Sequence, residues 1–170
     1  MKQTFALLAA AVLALGAAAA AAQTPPSQGA SAAAAPAAVA HRGQLTGQPE
    51  ALFSRLEADL SGGKFGPFTI ISVDVPTRTI VARRSNIDSA SWARWAFCRM
   101  GPLDLLDVLR DGSVTLTVRL EPTTKWITWA VVKADFNGTY AIGAEVKQTQ
   151  CISTGVLEED ILHRLGADVS

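Results

Sequence analysis

The chain has 170 residues, and its 15 basic and 15 acidic side chains leave it without net charge. Nucleic-acid binding and attachment to an anionic membrane surface both draw on a strongly basic field, so this balance argues against both functions. The length suffices for one ordinary domain after allowance for an unusual N-terminal region.

That N-terminal region has the three parts of a secretory signal peptide. Lys2 supplies a basic start, Phe5–Leu15 is an apolar run, and small residues extend to Ala22. A transmembrane helix is the weaker alternative, because the strongly apolar part is short and alanine enters a bilayer only weakly. We therefore predict a signal peptide over residues 1–22 and a bacterial protein that is periplasmic or secreted. No cysteine lies near the predicted cleavage site, so no lipid anchor is expected.

The segment that follows is rich in alanine, proline and serine. Between Gln23 and Ala40 it has neither a charge nor a large apolar side chain. Such a segment buries too little surface to offset the entropy of ordering it, so a flexible tether is predicted over residues 23–44. Residues 45–170 are predicted to form a single domain, and no integral membrane span is expected in the mature chain.

The chain has two cysteines, Cys98 and Cys151. An exported chain with an even number of cysteines most often pairs them, so we predict a disulfide, which would contribute about 4 kcal/mol in the chain-entropy description. A zinc site is one alternative, but neither a CxxC nor an HxxxH spacing is present. A reactive thiol at Cys98 is another, which an oxidising compartment disfavours.

The first part of the domain predicts one helix and one hairpin. Pro49 and Glu50 suit a first helical turn, and apolar residues at helical spacing continue to a stop at Gly62. Sequences rich in β-branched residues at 67–75 and 79–84 predict two strands joined by a turn.

The next segment is less clear. Residues 85–100 fit either a helix or a strand, because the aromatic residues satisfy both periodicities. A short helix is predicted over residues 102–110, with Pro102 near its start and Gly112 beyond its end.

The second half predicts a meander of strands. Strict alternation over residues 113–120 indicates a strand that buries Val114, Leu116, Val118 and Leu120. A long strand over 125–136 is predicted to turn at Asn137–Gly138, so that Phe136 opposes Thr139 and Trp129 opposes Val146. In this register, side-chain size selects one face as the core. That face holds Ile127, Trp129, Val131, Tyr140, Ile142, Ala144 and Val146.

The last element is predicted to be a helix after Gly155. Acidic residues at its start and His163 and Arg164 in its last turn both complement the helix dipole. Its predicted buried stripe contains Leu157, Ile161, Leu162 and Leu165. The assembled order predicts an α+β fold, with an antiparallel sheet of about five strands, flanking helices and one disulfide.

Catalytic chemistry is sparse in this sequence. A serine nucleophile needs a base, and His163 is the only histidine well inside the predicted domain, while no Gly-x-Ser-x-Gly elbow is present. His41 would become a terminal copper ligand only after cleavage behind Ala40, which lies too far beyond the apolar run. We therefore predict no catalytic residue, no metal ligand and no cofactor, and we do not expect an enzyme. A small periplasmic hydrolase that uses His163 is the alternative.

Arginines and tryptophans are concentrated in the middle of the chain. Both residue types are enriched at the centres of protein interfaces. The candidate binding residues are Arg83, Arg84, Trp92, Trp95 and Trp126. The alternative is a solvated strand end followed by core aromatic residues.

These features predict an exported, soluble envelope protein that acts as a non-enzymatic interaction or accessory module. Its partner is expected to be another envelope or secreted protein and not a nucleic acid. A periplasmic small-ligand binding protein, with Trp126 or Trp92 lining a cavity, is a further alternative. No motif in the sequence assigns the chain to a known family.

Overall fold

The computed structural model describes residues 39–100, 103–104 and 109–169. The predicted signal peptide and residues 23–38 of the predicted tether lie outside these residues. The helices are α1 (Pro49–Ser61), α2 (Ser89–Trp95) and α3 (Val156–Leu165). The strands are β1 (His41–Thr46), β2 (Thr69–Asp74), β3 (Thr79–Ser85), β4 (Ala96–Phe97), β5 (Arg99–Met100), β6 (Leu103–Asp104), β7 (Leu109–Pro122), β8 (Ile127–Ile142), β9 (Glu145–Ser153) and β10 (Asp168–Val169).

The sheet is antiparallel, with the strand order β10–β1–β8–β7–β3–β2. β8 is long enough to hold two strands end to end on one edge. β1 pairs with its first half, from Thr46 opposite Ile127 onward, and β9 pairs with its second half, from Phe136 opposite Cys151. β7 pairs with the other edge from Thr128 to Tyr140. The short β4 pairs with the last two residues of β9.

The helices cover one face of this sheet. The alternation predicted for residues 113–120 is confirmed, because its four apolar side chains are all buried. They form one core with helical residues that include Phe53 and Leu56 of α1 and Ile161 and Leu162 of α3. The α+β class, the first and last helices and the antiparallel sheet are therefore as predicted. In the described residues, each helix is too short or too polar to cross a bilayer.

The predicted hairpin at Asn137–Gly138 is wrong. Both residues lie inside β8, and the chain turns later, at Gly143 and Ala144. Gly138 serves a close approach: a Cβ atom there would lie 2.9 Å from Cδ2 of Leu109. A side chain at this position would displace Leu109, so the glycine relates to the packing of a neighbouring side chain and not to a turn.

The predicted register and core face of β8 are wrong for the same reason. Phe136 opposes Cys151 and not Thr139, and Val146 opposes Ala141 and not Trp129. The buried face holds Thr128, Ala130, Val132, Ala134, Phe136, Gly138 and Tyr140. Of the predicted core face, Tyr140 is buried, Ile127, Trp129 and Val131 are partly exposed, and Ile142, Ala144 and Val146 are exposed. Small residues lie on the helix side because they leave room for α3 against β8.

The predicted helix over residues 102–110 is also wrong where the structure describes it. Leu103–Asp104 is a short strand paired with β5, and Leu109 and Arg110 begin β7 opposite Tyr140 and Thr139. A short apolar run does not by itself distinguish a helix from a strand, and here pairing with β8 decides. Residues 101–102 and 105–108 lie outside the described part.

The ambiguous segment over 85–100 contains both structures. Asp88 caps α2, because its Oδ1 accepts a hydrogen bond from the Ser91 amide at 2.8 Å, and the chain then becomes extended at Ala96. At the other end of the domain, β1 begins at His41, so residues 41–44 of the predicted tether belong to the sheet. β1 has a single apolar side chain, the buried Leu45, which is why alternation did not predict this strand.

Candidate ligand-binding face

The predicted disulfide between Cys98 and Cys151 is confirmed, with the two Cα atoms 4.5 Å apart. It joins the end of the α2–β4 segment to β9. Nε1 of Trp92 donates a hydrogen bond to Sγ of Cys98 at 3.1 Å, and the Trp92 ring meets Phe136 edge-on at 5.6 Å between centroids. Trp92 is buried, so most of its indole packs in the core.

Arg84 and Trp95 form a second internal contact. The guanidinium carbon of Arg84 lies 5.1 Å from the centre of the Trp95 ring, a cation–π arrangement. The Arg84 side chain is only 16% exposed, and its Nη2 lies 3.7 Å from Oδ2 of Asp88. Nε of Arg84 and Nε1 of Trp95 are buried without a hydrogen-bond partner. Arg84 and Trp95 pack against each other at the edge of the core, so the pair presents little surface to a ligand.

Trp126 lies apart from the other candidate residues. It is 53% exposed in the connection between β7 and β8, and Nζ of Lys125 lies 5.3 Å from its ring centre. Arg83 is opposite Thr115, seven residues along β7 from Pro122, a separation of roughly 23 Å at the rise of a β-strand. The five residues predicted as one surface are therefore not brought together.

Two of the five line a cavity: Trp92 lines one of about 370 Å³ beside α2, and Arg83 lines a larger and more polar one. The Arg83 side chain lies on the face of the sheet that the helices leave free, in a groove of about 480 Å³. Nη2 of Arg83 donates a hydrogen bond to Oγ of Ser113 at 3.3 Å. No carboxylate of a described residue forms an ion pair with it. The groove is lined by Arg83, Asp111, Ser113, Thr115, Asn137, Gly138, Thr139, Gln148, Thr149 and Gln150.

A β-bulge places Asp111 at the other end of this groove. Arg110 opposes Thr139 and Ser113 opposes Asn137, so Asp111 and Gly112 together face the single residue Gly138. Asp111 has a φ of +49°, a left-handed conformation that aspartate tolerates better than most residues. The single hydroxyl hydrogen of Thr139 is shared between the Arg110 carbonyl, 3.0 Å from Oγ1, and Oδ2 of Asp111, 3.4 Å from Oγ1.

The groove is electrically polarised along its length. Thr115, the partner of Arg83, lies four positions from Asp111 along β7, and the Arg83 guanidinium reaches back along the strand to Ser113. Ser113 lies two positions from Asp111, a backbone separation of roughly 7 Å. Every lining residue between the two charges is uncharged. Elsewhere on the same face the charges are paired: Arg42 and Arg119 both contact Glu121, and Nζ of Lys133 lies 3.0 Å from Oδ2 of Asp135.

Sequence reasoning selected Arg83 but missed Asp111. A glycine inside a strand pattern signals a bulge, and Asp111–Gly112 directly precedes the clearest strand of the chain. Because Gly112 was interpreted as lying beyond a helix end, the bulge at Asp111–Gly112 was not predicted. This bulge turns the Asp111 carboxylate toward the open face.

Glu158 is a buried carboxylate that the sequence assigned only to a helix start. Its Oε2 accepts a hydrogen bond from Oγ of Ser153 at 2.9 Å, and that hydroxyl oxygen in turn accepts one from the Gly155 amide at 3.0 Å. This relay ties the first turn of α3 to the end of β9, as a capping box does directly. Oε1 of Glu158 is buried without a hydrogen-bond partner.

The remaining candidates for chemistry are dispersed. His163 is exposed in the last turn of α3, and its side chain makes no hydrogen bond or ion pair within the described ranges. Nδ1 of His41 lies 3.7 Å from Oε1 of Glu159. The residues described here include no group of three or more His, Cys, Asp or Glu side chains suited to a metal ion. Comparison with protein-family models, with curated proteins and with solved structures found no match to this chain.

Proposed function

We propose that this protein is an exported, non-enzymatic binding module whose binding surface is the helix-free face of its sheet. The observation that carries the proposal is Arg83, a cation in an open groove that forms no ion pair with a carboxylate of the described residues. A guanidinium in such a setting is suited to an acidic group of another molecule, because Arg and carboxylate pair with two parallel hydrogen bonds.

The arrangement of the other candidates supports this choice of surface. Trp92 is held by the disulfide and Phe136, and Trp95 is covered by Arg84, so these aromatic residues build the scaffold. Function on a rigid scaffold is favoured when the contacting side chains lie on strands instead of loops. The groove lies on β3, β7, β8 and β9. The disulfide anchors β9 at Cys151, next to the lining residue Gln150. A disulfide is also compatible with an oxidising compartment.

Site-specific cross-linking in the native host tests the proposal. In one variant a photoreactive amino acid replaces Gln150, in the groove. In a second variant it replaces Glu57, an exposed residue of α1 on the helix side of the sheet. We expect a defined adduct from position 150, none of the same mass from position 57, and loss of the first adduct with Arg83→Glu.

The matched control is Arg55→Glu, which makes the same change of charge on an exposed helical surface. It should leave the adduct at position 150 unchanged. An adduct that forms equally from both positions, or that persists with Arg83→Glu, would show that the groove is not the binding surface.

A further inference from the structure

We propose that the groove binds a short peptide of two or three residues with both termini free. In this proposal, which rests on the proposed function, the terminal carboxylate pairs with Arg83 and the terminal ammonium with Asp111. The two charges lie at opposite ends of one groove on one face of the sheet, and this polarity is the feature that selects a zwitterionic ligand.

The cationic end is built to receive a carboxylate. Ser113 accepts the one hydrogen bond that Arg83 makes in the described structure, at 3.3 Å, and the other guanidinium N–H groups remain for a ligand. Thr115 lines the groove beside it and can donate its hydroxyl hydrogen to the same carboxylate. Because Ser113 is buried, the position of its hydroxyl is fixed by the strand and not by solvent.

The anionic end is equally defined. Asp111 is exposed, and its carboxylate accepts one hydrogen bond, from Thr139 at 3.4 Å. A carboxylate has about four acceptor positions, so several remain for an ammonium group. The bulge fixes the backbone at Asp111, and it also turns the side chain onto the face that carries Arg83.

The separation of the charges sets the length of the ligand. An extended peptide advances about 3.3–3.6 Å per residue, so two or three residues span the roughly 7 Å between Ser113, where the Arg83 guanidinium lies, and Asp111. A single amino acid is too short to reach both charges with its termini. A long peptide can reach only one of them with a terminus.

The lining between the charges fits a peptide backbone and not an apolar ligand. Asn137, Gln148 and Gln150 each present an amide group that both donates and accepts hydrogen bonds, which is what successive peptide groups require. Among the described residues, no aromatic or aliphatic side chain lines the groove, so large apolar side chains of a ligand would gain little from them. Small or polar residues are therefore expected in the bound peptide.

Amide NMR spectra of the mature, disulfide-bonded protein test this inference. The probes are the peptide Gly-Ser-Gly with free termini, its N-acetyl form and its C-terminal amide form. We expect shifts of the Asn137 and Gln148–Gln150 amides with the free peptide. Amidation and acetylation should each weaken binding about tenfold, the effect of losing one charge-assisted hydrogen-bonded pair.

Two variants make the assignment specific. With Arg83→Gln, amidation should no longer weaken binding, while acetylation should still do so; with Asp111→Asn the pattern should reverse. Asparagine tolerates the left-handed conformation of position 111, and Arg83 is exposed, so both proteins are expected to fold. Arg55→Gln is the control and should bind like the parent protein.

The possible results separate this inference from the function on which it rests. If the free peptide shifts no amide of the groove at millimolar concentration, or if blocking the termini has no effect, the peptide inference is overturned. The Arg83-dependent cross-link from position 150 then still decides the proposed function by itself.

Discussion

The indole of Trp92 and the sulfur of Cys98 are joined by a hydrogen bond of 3.1 Å, so the tryptophan and the disulfide form one buried unit. Trp92→Ala is expected to lower the free energy of unfolding by about 3–5 kcal/mol, because a large aromatic side chain leaves a cavity. Urea unfolding of the oxidised protein measures the loss. Trp126→Ala, at an exposed position, should change stability by less than about 0.5 kcal/mol and is the control. Equal losses in the two variants would contradict the assignment of Trp92 to the core.

Reduction of the disulfide should weaken the fold strongly. The bond closes a loop between positions 53 residues apart, which in the chain-entropy description contributes about 4 kcal/mol. Cys98→Ser combined with Cys151→Ser should therefore lower the free energy of unfolding by about that amount. A reductant should bring the parent protein to the same stability and leave the double variant unchanged. A parent protein whose unfolding midpoint is insensitive to reductant would refute this contribution.

Gly112 is expected to tolerate no side chain. A Cβ atom at this position would lie 2.7 Å from Cζ3 of Trp92, and the ring is fixed by its core contacts. Gly112→Ala should cost about 1–3 kcal/mol of stability through overpacking. In a thermal-unfolding comparison, the added cost should be smaller in a Trp92→Leu background, where the ring is absent. Additive effects of the two changes would show that the ring is not the obstacle.

The cap of α2 should depend on pH. Hydrogen bonds from the amide and hydroxyl of Ser91 hold the pKa of Asp88 below its ordinary value. A depressed pKa in the folded state stabilises the fold above the ordinary pKa of aspartate, near 3.9, and this contribution is lost as the pH falls through the folded-state value. Asp88→Ala should thus be less stable than the parent at neutral pH, and the difference should shrink in acid.

Asp88→Asn is the control for this titration. Asparagine caps a helix as well as aspartate does but carries no titrating group. Chemical unfolding at neutral and acidic pH should show that the stability difference between the Asp88→Asn and Asp88→Ala proteins stays constant. If the difference between the parent and the alanine variant does not change with pH either, the ionised carboxylate is excluded as the cap.

Local pattern predicted the parts of the fold in which one face is apolar and the other polar. Val114–Leu120 alternates cleanly because β7 has helices on one side and solvent on the other. β8 does not, since Trp129 on its open face is larger than Ala130 and Ala134 on its buried face. On that open face, Cζ of Arg42 lies 5.4 Å from the centre of the Trp129 ring. Side-chain size therefore predicted the wrong face of β8 as the core. Burial in this strand is set by the space that α3 leaves.

The groove required information that no local pattern holds. Arg83 and Asp111 lie on different strands, and only the pairing of Arg83 with Thr115 places them on one face. The bulge that orients Asp111 depends on the register between β7 and β8. The sequence did not indicate this register, because Asn137–Gly138 was predicted to be a turn and not part of β8. The disulfide, in contrast, followed from the number of cysteines and the expected compartment. The disulfide could be predicted because each of the two cysteines has only one possible partner.

The shared edge of β8 has a consequence for the order of folding. β1, near the start of the domain, pairs only with β8 and with β10 at the far end of the chain, and β9 lies beside it on the same edge. Pairings between distant segments form slowly, because the loops between them must close first. The N-terminal strand therefore has no site in the sheet until β8 is present. A chain that folds from its N-terminus onward leaves β1 unpaired until the first half of β8 is available.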